Sequence, residues 1–227
     1  MMGMGIRDCT GHVSRRRWLR DCSLLVLAVA AAGPLAAQHP AAPRTVLVVG
    51  DSLSAEYGLE RGQGWVALLA QRIKSEGLND EVVNASVSGD TTSGGRSRLP
   101  ALLKAHRPAV VVIELGGNDA LRGLPLTGTE QNLVTMTRQA RAAGAKVLLL
   151  GMQVPPNYGR QYVEDFARVF VNVARNEKAA LVPFLLAGVA DAPDPVALFQ
   201  SDRIHPRAEA HPRMLANVWP TLKPLLR

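Results

Sequence analysis

Apolar, β-branched runs that stop at glycine, each followed by an amphipathic stretch, constrain this chain more than any other feature. TVLVVG at 45 to 50, AVVVIELGG at 109 to 117 and KVLLLG at 146 to 151 are almost continuously apolar, so strands formed from them have to be buried on both faces. EVVNAS at 81 to 86 and a short run at 181 to 183 read as two further strands. Between them, Trp65, Leu68, Leu69 and Ile73 recur at helical spacing and Gly77 stands where a C-terminal cap would. Further helical stretches fall at 99 to 107, at 130 to 143 closed by Gly144, at 165 to 178, and in an amphipathic tail from Arg207. Strands alternating with helices predict a three-layer α/β/α sandwich around a doubly wound, parallel sheet of five strands. The 227 residues suffice for one such domain. In a sheet of this kind the ligand crevice lies beyond the carboxyl ends of the strands. Ser52, Gly89 and Asn118 all follow strands there.

Residues 1 to 37 differ in kind. Arg15, Arg16, Arg17 and Arg20 lead into CSLLVLAVAAAGPLAA, which ends in small residues, the layout of an export signal removed near Ala37. The run is broken by Gly33 and Pro34 and falls short of the roughly 20 residues that span a bilayer. SRRRWLR at 14 to 20 also resembles a twin-arginine export signal. The expected organisation is a signal peptide at 1 to 37, a Pro- and Ala-rich linker at 38 to 43 and one globular domain at 44 to 227. The mature protein is then periplasmic or secreted, monomeric, and without stable membrane insertion.

Removing that segment takes away five Arg and two Asp, so the formal charge falls from +7 to +4. The remaining charges are scattered, whereas a nucleic-acid footprint needs a concentrated basic face. No nucleic-acid partner is expected. Cys9 and Cys22 both lie in the removed segment, which excludes a cysteine nucleophile and any thiolate metal site.

Ser52 sits in GDSLS, two residues past the first strand, where a hydroxyl would be exposed beside free N–H groups. Asp and Ser at such a junction also serve as plain turn or helix caps. A serine nucleophile needs a base, and the base needs a partner that holds its orientation. Of the histidines beyond the signal, His39 lies in the linker and His106 ends a polar helix face. His211 has no carboxylate at the offset that separates Asp202 from His205 and reads as structural or surface. His205 has Asp202 three residues earlier in DRIHP, so one loop can present both groups. Gly89 lets an acyl oxygen approach its backbone N–H, and the Asn118 amide can aim a second donor at the same point. Each is equally compatible with a simple turn. Asp51, Asp90, Asp119 and Glu114 read as hydrogen-bond anchors for these loops. Metal-ligand spacing, a dinucleotide glycine pattern and a phosphate loop are all lacking, and no metal or cofactor is expected.

GDSLSAEYGL, NASVSGDT, ELGGNDALRG, PPNYGRQY and DRIHP, in this order, resemble the successive blocks of SGNH (GDSL) hydrolases. The likeness is strongest to the branch of bacterial periplasmic thioesterases, lysophospholipases and arylesterases, and it spans about Val46 to Leu226. It implies a flavodoxin-like strand order, Ser52 as nucleophile, His205 as base and Asp202 as its partner, with an oxyanion hole formed by the Ser52 and Gly89 amides and the Asn118 side chain. It implies a small-molecule acyl ester or thioester as substrate. One departure stands out: the family usually has Gly where this chain has Arg203, which would be strained if that position needs a positive φ. Leu121, Leu124, Val154, Pro155, Pro156 and Tyr158 are expected to form a groove for the acyl chain. The rival readings are a deacetylase of sugars or cell-wall polymers on the same triad, and an inactive lipid- or glycan-binding module.

Overall fold

The computed structural model of the protein describes residues 42–227. The expected signal peptide and all but the end of the linker lie outside those residues.

Five parallel strands form one sheet: β1 (Arg44–Gly50), β2 (Asp80–Asn84), β3 (Val110–Glu114), β4 (Lys146–Leu150) and β5 (Ala180–Val182). Their order is β2-β1-β3-β4-β5, the flavodoxin-like arrangement the resemblance implies. The helices are α1 (Trp65–Ser75), α2 (Thr92–His106), α3 (Gly117–Leu121), α4 (Leu126–Ala142), α5 (Arg160–Glu177) and α6 (His211–Leu222). α1 packs beside α6, while α4 packs between α2 and α5, giving the two outer layers. Val46 to Val49 and Val110 to Ile113 are buried throughout, so the continuous apolar runs do belong to strands covered on both faces. Phe166 and Phe170 of α5 meet edge-to-face at 5.3 Å in the core, the favoured aromatic geometry.

Several boundaries differ from the sequence expectation. β3 ends at Glu114 rather than running to Gly117, because Gly116 turns to φ 118° and α3 starts at once. α2 begins at Thr92, seven residues before the expected 99. Gly94, Gly95 and Pro100 lower its intrinsic helicity, but an added Cβ at Gly95 would meet Leu115 Cδ1 at 2.2 Å, so glycine there lets the helix lie close against the segment after β3. α4 starts at Leu126 and α5 at Arg160, four and five residues early. The tail begins as a short 3-10 turn at Ala208–Ala210 before α6.

β2 is assigned only to Asn84, short of the expected Ser86, yet its pairing with β1 outlasts the strand. The Ala85 N–H donates to the Val48 carbonyl at 2.9 Å and the Val87 N–H to Gly50 at 3.0 Å. That extension brings the segment leading into Gly89 alongside the end of β1.

In this strand order the chain leaves β1 toward β2 on one side and later returns to β3 on the other. The crevice of such a sheet opens at that reversal, between the ends of β1 and β3. Ser52 follows β1 and Asn118 follows β3, so both stand at the switch point.

Candidate active site

After Gly50 the chain enters a run of turns rather than a helix. The Asp51 carboxylate accepts the Leu53 N–H at 3.0 Å, and the Asp51 carbonyl accepts from Ser54 and Ala55. This fold-back turns Ser52 out of the sheet toward the crevice. Neither the Ser52 nor the Gly89 backbone N–H has a protein acceptor among the described residues. Free amides beside a hydroxyl are what an oxyanion hole needs.

The loop between β5 and α6 supplies the imidazole. Phe199 and Pro206 pair as an antiparallel bridge, and the Gln200 N–H donates to the His205 carbonyl at 2.8 Å. Within this narrow loop Asp202 Oδ1 accepts the Ile204 and His205 N–H groups at 2.9 and 3.0 Å. Its Oδ2 lies 2.6 Å from His205 Nδ1, and His205 Nε2 lies 2.8 Å from Ser52 Oγ. The tautomer compatible with this chain carries its proton on Nδ1, leaving Nε2 free to accept from the serine. Partial burial alone would raise the Asp202 pKa; the hydrogen bonds from the His205 ring and from two backbone amides overcome it and hold the carboxyl down at about 2. Asp202 thus stays ionised beside an imidazole that has to accept a proton.

Residues with no sequence signal hold this loop. Tyr57 lies against the His205 ring with centroids 4.3 Å apart. Gln200 donates its side-chain amide to the Tyr57 carbonyl at 2.9 Å and to Pro206 at 3.2 Å, tying the imidazole loop to the serine loop. Of the structural and surface readings His211 takes the structural one: it is buried, its Nδ1 accepts the Trp65 N–H at 3.0 Å and its ring is hydrogen-bonded to the Pro206 carbonyl. Burial lowers its pKa, so it stays neutral and can accept.

Asn118 donates its side-chain amide to Asp51 Oδ2 at 3.0 Å, which leaves its second N–H for another acceptor. The next residue, Asp119, takes the Thr92 N–H at 2.9 Å and the Thr92 hydroxyl. Arg122 donates to the Gly89 carbonyl at 2.8 Å, and Gly89 holds φ 78°. The loops bearing Gly89 and Asn118 are therefore fastened to one another. Arg98 closes the set by pairing with Asp90 at 2.7 Å while donating to the carbonyls of Ala85 and Gly50. All four carboxylates expected as anchors act as such.

Behind the serine, Glu114 is fully buried and accepts from the Ser54 hydroxyl at 2.8 Å and the Asp51 N–H at 3.3 Å. No cation pairs with Asp51 or Glu114 among the described residues. Desolvation pushes Asp51 up to about 6 and Glu114 well above the ordinary carboxyl range, the latter reinforced by the Asp51 charge. Two adjoining acids without a counter-ion retain one proton between them.

Ser52 and His205 face a cleft of about 470 Å³. Leu121, Val154, Pro155 and Pro156 line it as expected. Leu124 and Tyr158 do not: Leu124 projects outward beyond the Gly123 turn, and Tyr158 stacks on Tyr162 with centroids 6.2 Å apart. Their places are taken by Met152, Phe184, Leu186, Val196, Phe199 and Ile204, most of them from the irregular stretch after β5, where no periodicity marks a lining residue. Gly89 is not part of this lining, and its amide is unengaged among the described residues. Arg203 also lines the cleft, at φ 57°; the position does require the left-handed conformation that glycine adopts more easily. Among the described residues no group of three or more His, Cys, Asp or Glu could hold a metal ion.

Comparison with known proteins places relatives beside this chain. The model of the GDSL-like Lipase/Acylhydrolase family matches residues 48–213. Esterase TesA of Pseudomonas aeruginosa is 60% identical over 186 residues, covering 82% of this chain and 91% of the relative. The Escherichia coli (strain K12) protein described as thioesterase 1/protease 1/lysophospholipase L1 is 42% identical over 186 residues, covering 82% and 86%. A crystal structure of TesA superposes with a TM-score of 0.77 at 59% identity, covering 80% of this chain and 99% of that one.

Proposed function

Because this chain belongs to the GDSL-like lipase/acylhydrolase family, we propose that it hydrolyses carboxylic ester and thioester bonds of acyl substrates through an acyl-Ser52 intermediate. Supporting this is the chain of contacts from Ser52 Oγ through His205 to Asp202, at 2.8 and 2.6 Å, opening on an apolar cleft.

In the first half-reaction Ser52 Oγ attacks the acyl carbonyl while His205 Nε2 takes its proton. Asp202, held ionised, stabilises the imidazolium. The oxyanion receives the Ser52 and Gly89 N–H groups and the free N–H of Asn118. His205 then delivers the proton to the departing alcohol or thiol. Water, activated by the same imidazole, cleaves the acyl-enzyme and regenerates the serine.

The apolar wall built from Leu121, Met152, Val154, Phe184, Leu186 and Phe199 favours an aliphatic or aryl acyl group over an acetylated sugar, whose hydroxyls would lose water without gaining partners there. Relatives described as an esterase and as a thioesterase and lysophospholipase point the same way. Export by residues 1 to 37 and a monomeric periplasmic enzyme complete the reading; no helix among the described residues is long and apolar enough to cross a membrane.

The test is hydrolysis of aryl esters, acyl-CoA and lysophospholipids across chain lengths by wild type and Ser52→Ala. Loss of a nucleophilic serine lowers kcat by at least about a thousandfold, and a fluorophosphonate probe labels wild type but not the variant. Unchanged turnover in Ser52→Ala overturns the assignment.

A further inference from the structure

Arg203 occupies a position where an L-residue is strained, at φ 57° on the rim of the cleft, between Asp202 and Ile204. Strained backbone of this kind persists where the surroundings impose it and collects at functional sites. Here the imposition is visible: the Arg203 N–H donates to the Gln200 carbonyl at 2.9 Å, and the next two amides both point at Asp202 Oδ1. The turn that presents the imidazole therefore fixes the left-handed residue, and the side chain it carries is held beside the cleft.

Among the described residues that side chain is the sole lysine or arginine lining the cleft. The charged or titratable groups facing it from the other walls are all engaged. Asp202 is occupied by His205, Asp51 by Leu53 and Asn118, and Asp191 accepts the Gly188 N–H. The Arg203 guanidinium is exposed and has neither an ion-pair nor a hydrogen-bond partner among the described residues. An unpaired planar cation, on the rim of a largely apolar cleft whose other walls also carry Asp51 and Asp191, is suited to bidentate recognition of a phosphate or carboxylate.

Resting on the serine-hydrolase reading above, we infer that Arg203 forms an anion subsite that biases the enzyme toward substrates whose leaving group carries a phosphate. The apolar walls receive the uncharged acyl chain, so the anion belongs to the other side of the scissile bond. A nucleotide thioester and a glycerophospholipid head group share this chemistry.

Two matched pairs separate these sources: octanoyl-CoA against the octanoyl thioester of N-acetylcysteamine, and a monoacyl glycerophosphate against the monoacylglycerol of the same chain. The readout is the ratio of kcat/KM, phosphate-bearing over neutral, for wild type, Arg203→Gly, Arg203→Ala and Arg203→Lys. Glycine removes charge and strain together, alanine removes the charge alone, and lysine keeps the charge. In at least one pair the ratio falls about fivefold in both the glycine and alanine variants, the size of an exposed ion pair. It is largely retained by lysine, and the wild-type ratio declines with added NaCl. A fall confined to one pair supports the subsite and identifies which phosphate it reads. Ratios unchanged by glycine and alanine in both pairs overturn it. Neutral-thioester hydrolysis by Ser52→Ala separates the underlying reading: turnover that survives there overturns the serine mechanism itself, whatever the ratios do.

Discussion

His211 Nδ1 accepts the backbone N–H of Trp65, the first residue of α1, at 3.0 Å across 146 positions of sequence. The ring also bonds to the carbonyl of Pro206, which follows the imidazole of the site. One buried side chain therefore caps a helix that has no side-chain cap of its own and holds down the end of the loop bearing His205.

His211→Ala leaves a buried helix-start N–H without an acceptor, and denaturant unfolding is expected to show a loss of about 1–3 kcal/mol. Because burial holds the His211 pKa below its ordinary value, the unfolded chain takes up this proton first as pH falls. The sign follows: wild type loses stability as pH drops below about 6.5, and the variant lacks that part of the slope. An identical slope in both proteins would exclude a neutral His211 as the cause.

Asn118→Ala removes the oxyanion donor proposed above and also the partner of Asp51 Oδ2. A fall in kcat of about a hundred- to a thousandfold is expected, with little change in KM, because the donor acts chiefly on the transition state. Steady-state kinetics on an aryl ester measure the split. A change confined to KM would assign Asn118 to ground-state binding instead.

Asp202→Asn keeps the shape of the loop but offers an amide where the imidazole needs an acceptor. Up to about a ten-thousandfold loss in kcat is expected, since the histidine then adopts the wrong tautomer. The rate at pH 8 against wild type decides the matter; near-normal turnover would mean that another group orients His205.

Asp51→Asn tests the buried acid pair. A carboxyl whose folded pKa stands at about 6, against 3.8 when free, favours folding while it remains protonated. Its contribution is full below pH 3.8 and is lost as pH rises through about 6, up to about 3 kcal/mol in all. In Asp51→Asn the unfolding free energy measured from pH 4 to 7 is expected to lose most of that decline. Glu114→Gln gives a parallel effect, because the two acids titrate as a unit. A decline as steep in both variants as in wild type would place its origin elsewhere.

Much of this was legible from sequence because it is local. Strands at 45 to 50 and 146 to 151 announce themselves by unbroken apolarity, which is a property of consecutive residues. Asp202 and His205 stand three apart, within one loop, so their partnership needs no knowledge of the fold. The start of α2 was illegible: Gly94 and Gly95 argue against a helix until Leu115 is seen filling the space beside Gly95. Leu124 and Tyr158 failed as lining residues for a related reason, since hydrophobicity does not say which way a loop side chain points.

By itself, then, the sequence determined the layered α/β architecture, the chemistry available at Ser52, Asp202 and His205, and the oddity of Arg203 in its loop. Only the tertiary structure decided that Glu114 lies against Asp51 across 63 positions, that His211 serves Trp65, and that Arg203 stands unpaired on an apolar rim. The reason is physical. Periodicity and composition report the solvent environment of neighbouring residues, whereas a shared proton, a distant cap or an unpaired charge depends on which remote segments pack together.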